Sequence, residues 1–146
     1  MPLYWIILLV TGITLSTLGD LTQRSEENAL RADASAIAHN LIVYRNALAE
    51  YAHNNSGITG LVPDNALSLP AWYVHLPGIN GYVASGDSFT FYVAPPAGLV
   101  AKLAELTNSS AAIGYASAGR LISSTEGATD IVIPAAIPNG AAVAYR

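Results

Sequence analysis

Three patterns of apolar and polar positions follow one another along the chain. From Leu3 to Leu18 the residues are mostly apolar, with Thr11, Gly12, Thr14, Ser16 and Thr17 entering in the second half. From Gln23 to Asn54 there is neither Pro nor Gly, and apolar residues recur at spacings of four and three. From Gly57 onward, Gly and Pro punctuate short apolar runs. These patterns predict, in order, an apolar helix, an amphipathic helix and a set of short antiparallel strands.

The first helix has the character of a membrane anchor. At about 1.5 Å per residue, Leu3 to Leu18 barely reaches across a hydrocarbon core of roughly 30 Å. Its apolar positions are Leu3, Tyr4, Trp5, Ile6, Ile7, Leu8, Leu9, Val10, Ile13, Leu15 and Leu18. Tyr4 and Trp5 stand at one end, where interfacial aromatics belong. Asp20, Arg24 and Glu26 form a polar stop at the other. A cleaved signal peptide fits less well: no Lys or Arg precedes the run, and Ser16-Thr17-Leu18-Gly19 makes a poor cleavage site. Residues 1–20 are therefore expected to be an uncleaved single span. Arg24 and Arg31, taken literally, vote for a cytoplasmic C-terminal side.

The second pattern, residues 21–56, predicts a stalk and then an amphipathic helix. Leu30, Ala34, Ile37, Leu41, Tyr44, Leu48 and Tyr51 form a heptad stripe on one helix face. Arg24, Arg31, Asp33, His39, Arg45 and Glu50 lie off it. One expectation is that the stripe packs on the chain's own sheet, at least over its C-terminal half. The alternative is a short coiled coil, and with it a homo-oligomer through this seam. Asn54-Asn55-Ser56-Gly57 should end the helix through a left-handed C-cap.

Residues 57–146 predict a small domain. Gly57 to Pro70 reads as loop, with Asp64 as the N-cap of a short helical turn. Trp72, Tyr73, Val74, His75 and Leu76 fall between Pro70 and Pro77, which argues against a central strand. Trp72 and Tyr73 either plug the core or stand out as a partner contact. Tyr82–Ala84 and Phe89–Val93 should form a hairpin around Ser85–Ser88. Gly98 to Thr107 has helical spacing, closed by Asn108. Ala112–Tyr115 pairs with Leu121–Ser123 over Ser117-Ala118-Gly119, and Ile131–Ile133 and Ala142–Tyr145 close the chain. The fold class is α+β. A transmembrane helix runs into a long amphipathic helix, which packs on a small antiparallel sheet of four to six strands with one further helix.

Composition removes most function classes. Charged residues are only 11% of the chain and the net charge is −4, so no basic face exists for nucleic acid. There is no cysteine, hence no disulfide, thiolate nucleophile or zinc–thiolate site. His39, His53 and His75 have no metal spacing, and His39 and His53 fall off the apolar seam. Gly114 to Gly119 resembles a nucleophile elbow with its first glycine one position too early, and a hairpin turn explains it better. A triad of Ser117, His75 and Asp87 can be written, yet nothing in the sequence brings the three together. No catalytic residue, cofactor or metal site is expected.

The layout resembles the PilM family of type IVb thin-pilus biogenesis proteins, carried by conjugative plasmids and related islands. The resemblance lies in the anchor beginning Met1-Pro2-Leu3, in "VYRNALAEYA" at Val43–Ala52, in "VPDNALSLPAWYVHLPGINGYV" at Val62–Val83 and in "PAAIPNGAAVA" at Pro134–Ala144. It covers nearly the whole chain. It implies a non-catalytic inner-membrane component of a basal body or pilin export apparatus, with a periplasmic C-terminal domain. It implies other pilus assembly proteins or pilins as partners, and brings no catalytic residues. A cytoplasmic actin-like ATPase of type IVa pili shares the name, but the chain has none of the phosphate loops that activity needs. The alternative role is a minor pilin or pseudopilin in the filament. Gly12-Ile13-Thr14-Leu15 is similar to the prepilin cleavage region, but the leader is apolar and Thr17 stands where pilins carry Glu.

Overall fold

The structure is a computed structural model that describes the backbone of residues 2–146 and the side chains of residues 23–146. The Pro- and Gly-free stretch lies in one helix, α1 (Pro2–Asn54). The chain divides into two compact units, Met1–Asp33 and Ala34–Arg146, with the boundary inside α1. Among the described residues no helix is long and apolar enough to cross a membrane. The expected anchor positions, Leu3 to Leu18, lie outside the residues whose side chains are described. Residues 23–33 are exposed.

In the unit Ala34–Arg146 the punctuated half of the sequence forms a single sheet. Its strands are β1 (Thr59–Leu61), β2 (Ile79–Ala84), β3 (Asp87–Tyr92), β4 (Ile113–Ser117), β5 (Arg120–Ser123), β6 (Gly127–Val132) and β7 (Ala142–Tyr145). A second helix, α2 (Leu99–Leu106), connects β3 to β4. All neighbours are antiparallel, in the order β1-β2-β3-β7-β4-β5-β6. The last strand thus fills the centre and joins two hairpin-built halves.

The sheet is larger than the four to six strands expected. The extra strand is β1, in the stretch read as loop; it is only three residues long, and its Gly60 hid the period-two pattern. Two other expectations change. Asp64 begins the short 3-10 turn Asp64–Ala66 and does not cap it: Pro63 holds the cap position, with no side-chain bond. The end of α1 needs no left-handed residue, because both the backbone N–H and the side-chain amide of Asn55 donate to the Tyr51 carbonyl, at 3.0 and 2.9 Å.

The two central hairpins turn on residue pairs with positive φ. Ser85 and Gly86 stand at 52° and 95°, and Ala118 and Gly119 at 49° and 76°. That is the type I′ geometry, whose twist matches the flanking strands.

Each sheet face has its own core. One face packs against α1 and α2 through Leu41, Tyr44, Leu48, Ile79, Val83, Leu99, Leu103 and Ile113. The other buries Phe89, Phe91, Leu121 and Val143 under Ile133 and Ile137 from the β6–β7 connection. Beneath α1 the cross-strand register places Gly81 opposite Thr90, Thr90 opposite Ala144 and Ala144 opposite Ile113. This row is mostly of small residues, and α1 brings buried alanines of its own to the shared core, Ala38, Ala47 and Ala52. Small residues on both sides let helix and sheet approach closely. Truncating Leu41 or Leu48, both fully buried, would cost about 2–5 kcal/mol.

Candidate interaction surface

Pro70 and Pro77 bracket a segment that opens with a turn at Ala71 and Trp72 and continues without regular structure beside the N-terminal end of the packed part of α1. Here Tyr73 and His75 turn inward, and Trp72 and Val74 turn outward. Trp72 is 71% exposed and Val74 72%. The partner contact expected at Trp72 and Tyr73 therefore divides: Trp72 is presented to solvent, and Tyr73 packs against the core.

A polar network holds this segment in place. The Tyr73 backbone N–H donates to the Pro70 carbonyl at 2.9 Å. The Tyr73 hydroxyl donates to Asn40 Oδ1 at 2.5 Å, and Asn40 Nδ2 donates to the Val74 carbonyl at 2.7 Å. One α1 side chain thus ties both the inward residue and the backbone of its outward neighbour. Tyr44, one turn along α1, packs its ring at 5.8 Å edge-on to His75 and at 6.4 Å from Tyr73. Its hydroxyl donates to the Val62 carbonyl at 3.4 Å. His75 Nδ1 lies 2.9 Å from Asp64 Oδ2. The pair is within ion-pair distance but not aligned as a hydrogen bond, and Nδ1 itself is shielded from solvent.

The tyrosines report the electrostatics of the network. Burial first, then the negative charge of Asp64, pushes the Tyr73 phenol up to about 12. The same causes, in the same order, raise the Tyr44 phenol further. Both groups are neutral donors at neutral pH.

The result is a braced ledge with an exposed Trp and Val. Large aromatics in such positions are the side chains that carry most of the energy of protein contacts. Other exposed apolar residues stand at the sheet edges, Ile58 and Leu61 at β1 and Val132 in β6.

The heptad stripe is mostly inside. Ala34, Leu41, Tyr44 and Leu48 are buried and Ile37 and Tyr51 pack against the same cluster, whereas Leu30, in the other unit, is 54% exposed. Sequence reasoning gave Val74 and Asn40 no role of their own, and Asp64 only that of a helix cap. Asn40 and Tyr44 sit one helical turn apart, a signal that was available; the Asp64–His75 pair joins two loops and left none.

Candidate chemistry elsewhere does not converge. His75 pairs with Asp64, Asp87 accepts from the Tyr145 hydroxyl at 3.0 Å, and Ser117 stands exposed at the end of β4. No hydrogen bond joins the three among the described residues. A cleft of about 390 Å³, lined by Asn46, Ala49, Glu50, His53, Gly86 and Arg146, has no Ser, Thr or Lys in its lining. Among the described residues no three His, Asp or Glu side chains could share a metal ion.

The profile of the PilM family matches residues 6–145. The chain belongs to the PilM family. Family membership relates it to pilus biogenesis. A chain named PilM from Pseudomonas aeruginosa 2192 is 42% identical, with a TM-score of 0.50 over 78% of this chain and 93% of that one. A chain named PilM from Escherichia coli B7A is 23% identical, with a TM-score of 0.61 over 80% of this chain and 93% of that one, and shares the fold. No curated protein matches.

Proposed function

We propose that the chain is a non-catalytic component of type IVb pilus assembly that works by contact with other pilus proteins. Its N-terminal segment holds it in the inner membrane, and the unit Ala34–Arg146 stands in the periplasm as part of a basal body or pilin export apparatus. The observation that carries this reading is the family match along residues 6–145. The apolar run Leu3–Leu18 supports the membrane attachment, and the ledge of Trp72 and Val74 supplies a contact surface. Deleting the gene in its own host and counting pili tests the role. Loss of pili, restored by the chain in trans, is expected. Full piliation without it would overturn the reading.

A second reading, a minor pilin or pseudopilin in the filament, is favoured by one feature: a long N-terminal helix whose C-terminal half lies on an antiparallel sheet. Intact mass and N-terminal sequencing of the membrane-bound chain separate the two. An intact N-terminus supports the assembly component. A chain beginning at Ile13, recovered in sheared pili, supports the filament subunit.

A further inference from the structure

We infer that the cleft at the C-terminal end of α1 receives one carboxylate side chain of a protein partner, held by the Arg146 guanidinium with Arg45 beside it. The inference rests on the proposed role only in taking another pilus protein as the source of the carboxylate. It starts from an imbalance among the cations. Arg31, Lys102 and Arg120 stand 3.9, 3.0 and 3.3 Å from a carboxylate oxygen. Among the described residues Arg45 and Arg146 have no such partner. Both bond to neutral oxygens instead. Arg45 Nε and Nη2 donate to the Tyr145 carbonyl at 3.3 and 2.8 Å, and Arg146 Nη1 donates to Asn46 Oδ1 at 3.1 Å.

The position of Arg146 is fixed by the sheet. Its N–H donates to the Ser88 carbonyl at 2.9 Å, and its main-chain oxygen accepts from the Ser88 N–H at 2.8 Å and from the Ser88 hydroxyl at 3.0 Å. These bonds set the backbone, and the bond to Asn46 sets the side chain against α1. The guanidinium then lines the cleft with Asn46, Glu50 and His53 of α1 and Gly86 of the β2–β3 turn. Arg45 is half-buried. Its pKa is lowered, first by burial and then by the charge of Arg146. Two cations that repel each other, one of them partly removed from water and neither touching a counter-charge, make a place for an anion.

The remaining groups choose the anion. A guanidinium binds a carboxylate through two parallel N–H donors. Arg146 has given Nη1 to Asn46, and its Nε and Nη2, the pair on one edge of the fork, have no acceptor among the described residues. Glu50 lines the same cleft with a negative charge, and the chain as a whole carries −4. A phosphate group, at about −1.5 to −2, meets more repulsion there than a carboxylate with its single charge. The cleft therefore suits one Asp or Glu side chain. Arg146 is exposed, so the bond is screened and modest.

An NMR titration of the purified, isotope-labelled full chain in non-ionic detergent tests this. The carboxylate probe is N-acetylglutamate α-amide, with inorganic phosphate as the comparison, at constant ionic strength. The Nε–H signals of Arg45 and Arg146 and the Gly86 amide are the reporters. The carboxylate probe is expected to shift them saturably, with a dissociation constant of about 1–10 mM, the scale of one screened bidentate pair. Phosphate should bind about threefold more weakly or worse. Arg146→Gln should weaken carboxylate binding about tenfold, with the β3 and β7 amides unchanged as a check on folding. Glu50→Gln, which removes the repelling charge from an exposed position, should tighten it about two- to threefold. No saturable shift in the wild type would overturn the assignment, as would tighter binding of phosphate, full affinity in Arg146→Gln or weaker binding by Glu50→Gln. Piliation is not part of the readout, so a failed cleft and a failed pilus role are told apart.

Discussion

Gly81 on β2 lies directly under Leu48 on α1. A Cβ atom at Gly81 would come 2.9 Å from both Leu48 methyl carbons and 2.9 Å from Tyr44 Cε1. Leu48 and Tyr44 are buried, so neither ring nor methyl has free space to retreat into. Gly81→Ala should therefore lift α1 from the sheet and destabilise the unit by about 1–3 kcal/mol, the usual cost of overpacking. Urea unfolding followed by circular dichroism measures it. An unchanged midpoint would mean that helix and sheet are looser than described.

Thr90 occupies the next position in the same row and presents the opposite fault. It is fully buried, and among the described residues its hydroxyl has no hydrogen-bond partner. A buried unpaired hydroxyl costs about 1–3 kcal/mol. Thr90→Val keeps the β-branched shape and removes the group, so it should raise stability by about 1 kcal/mol. A loss of stability instead would mean that a water or a donor reaches the hydroxyl.

Ala118 takes a left-handed conformation, φ 49°, at the first turn position between β4 and β5. Its N–H is held by Asn139 Oδ1 at 3.1 Å, which helps fix the strained turn. Left-handed backbone costs an ordinary residue about 1–2 kcal/mol, and Asn tolerates it better. Ala118→Asn, giving the Asn-Gly pair that type I′ turns favour, should stabilise by about 0.5–1 kcal/mol. A higher melting temperature would bear this out, and a lower one would place the turn in a different conformation.

Alkaline pH should loosen the network under the ledge. The Tyr73 phenol titrates near 12 in the folded chain, above the value of about 10 of an unfolded tyrosine. Its contribution is therefore complete below pH 10 and is lost as pH rises through 12. Absorbance titration near 295 nm should show late-ionising tyrosines, one fewer in Tyr73→Phe. If Tyr73→Phe leaves the late phase unchanged, Tyr73 is not buried as described.

Much of this fold could be read in the chain, and the limits have physical causes. Both hairpins, α2 and the packed half of α1 follow from apolar spacing and turn residues, which are local signals. The heptad stripe found the large residues Leu41, Tyr44 and Leu48 but not Ala38, Ala47 and Ala52, because alanine buries as readily as leucine here without marking a face. Strand β1 is too short to show a period. The insertion of β7 between β3 and β4 is a long-range pairing with no local mark. The ledge was half legible. "LPAWYVHLP" announced an aromatic segment, but which rings face inward depends on Asn40 and Asp64, distant in sequence.

The central claim is that Trp72 and Val74 form the contact surface through which this family member serves pilus assembly. Complementation of a deletion strain with the chain carrying Trp72→Ala and Val74→Ala tests it most directly, with pili counted and the membrane level and melting temperature of the protein measured alongside. Both side chains are exposed, so stability should change by no more than about 0.5 kcal/mol. The account predicts a normally folded, membrane-associated protein that restores few or no pili. Wild-type piliation by that variant would contradict it.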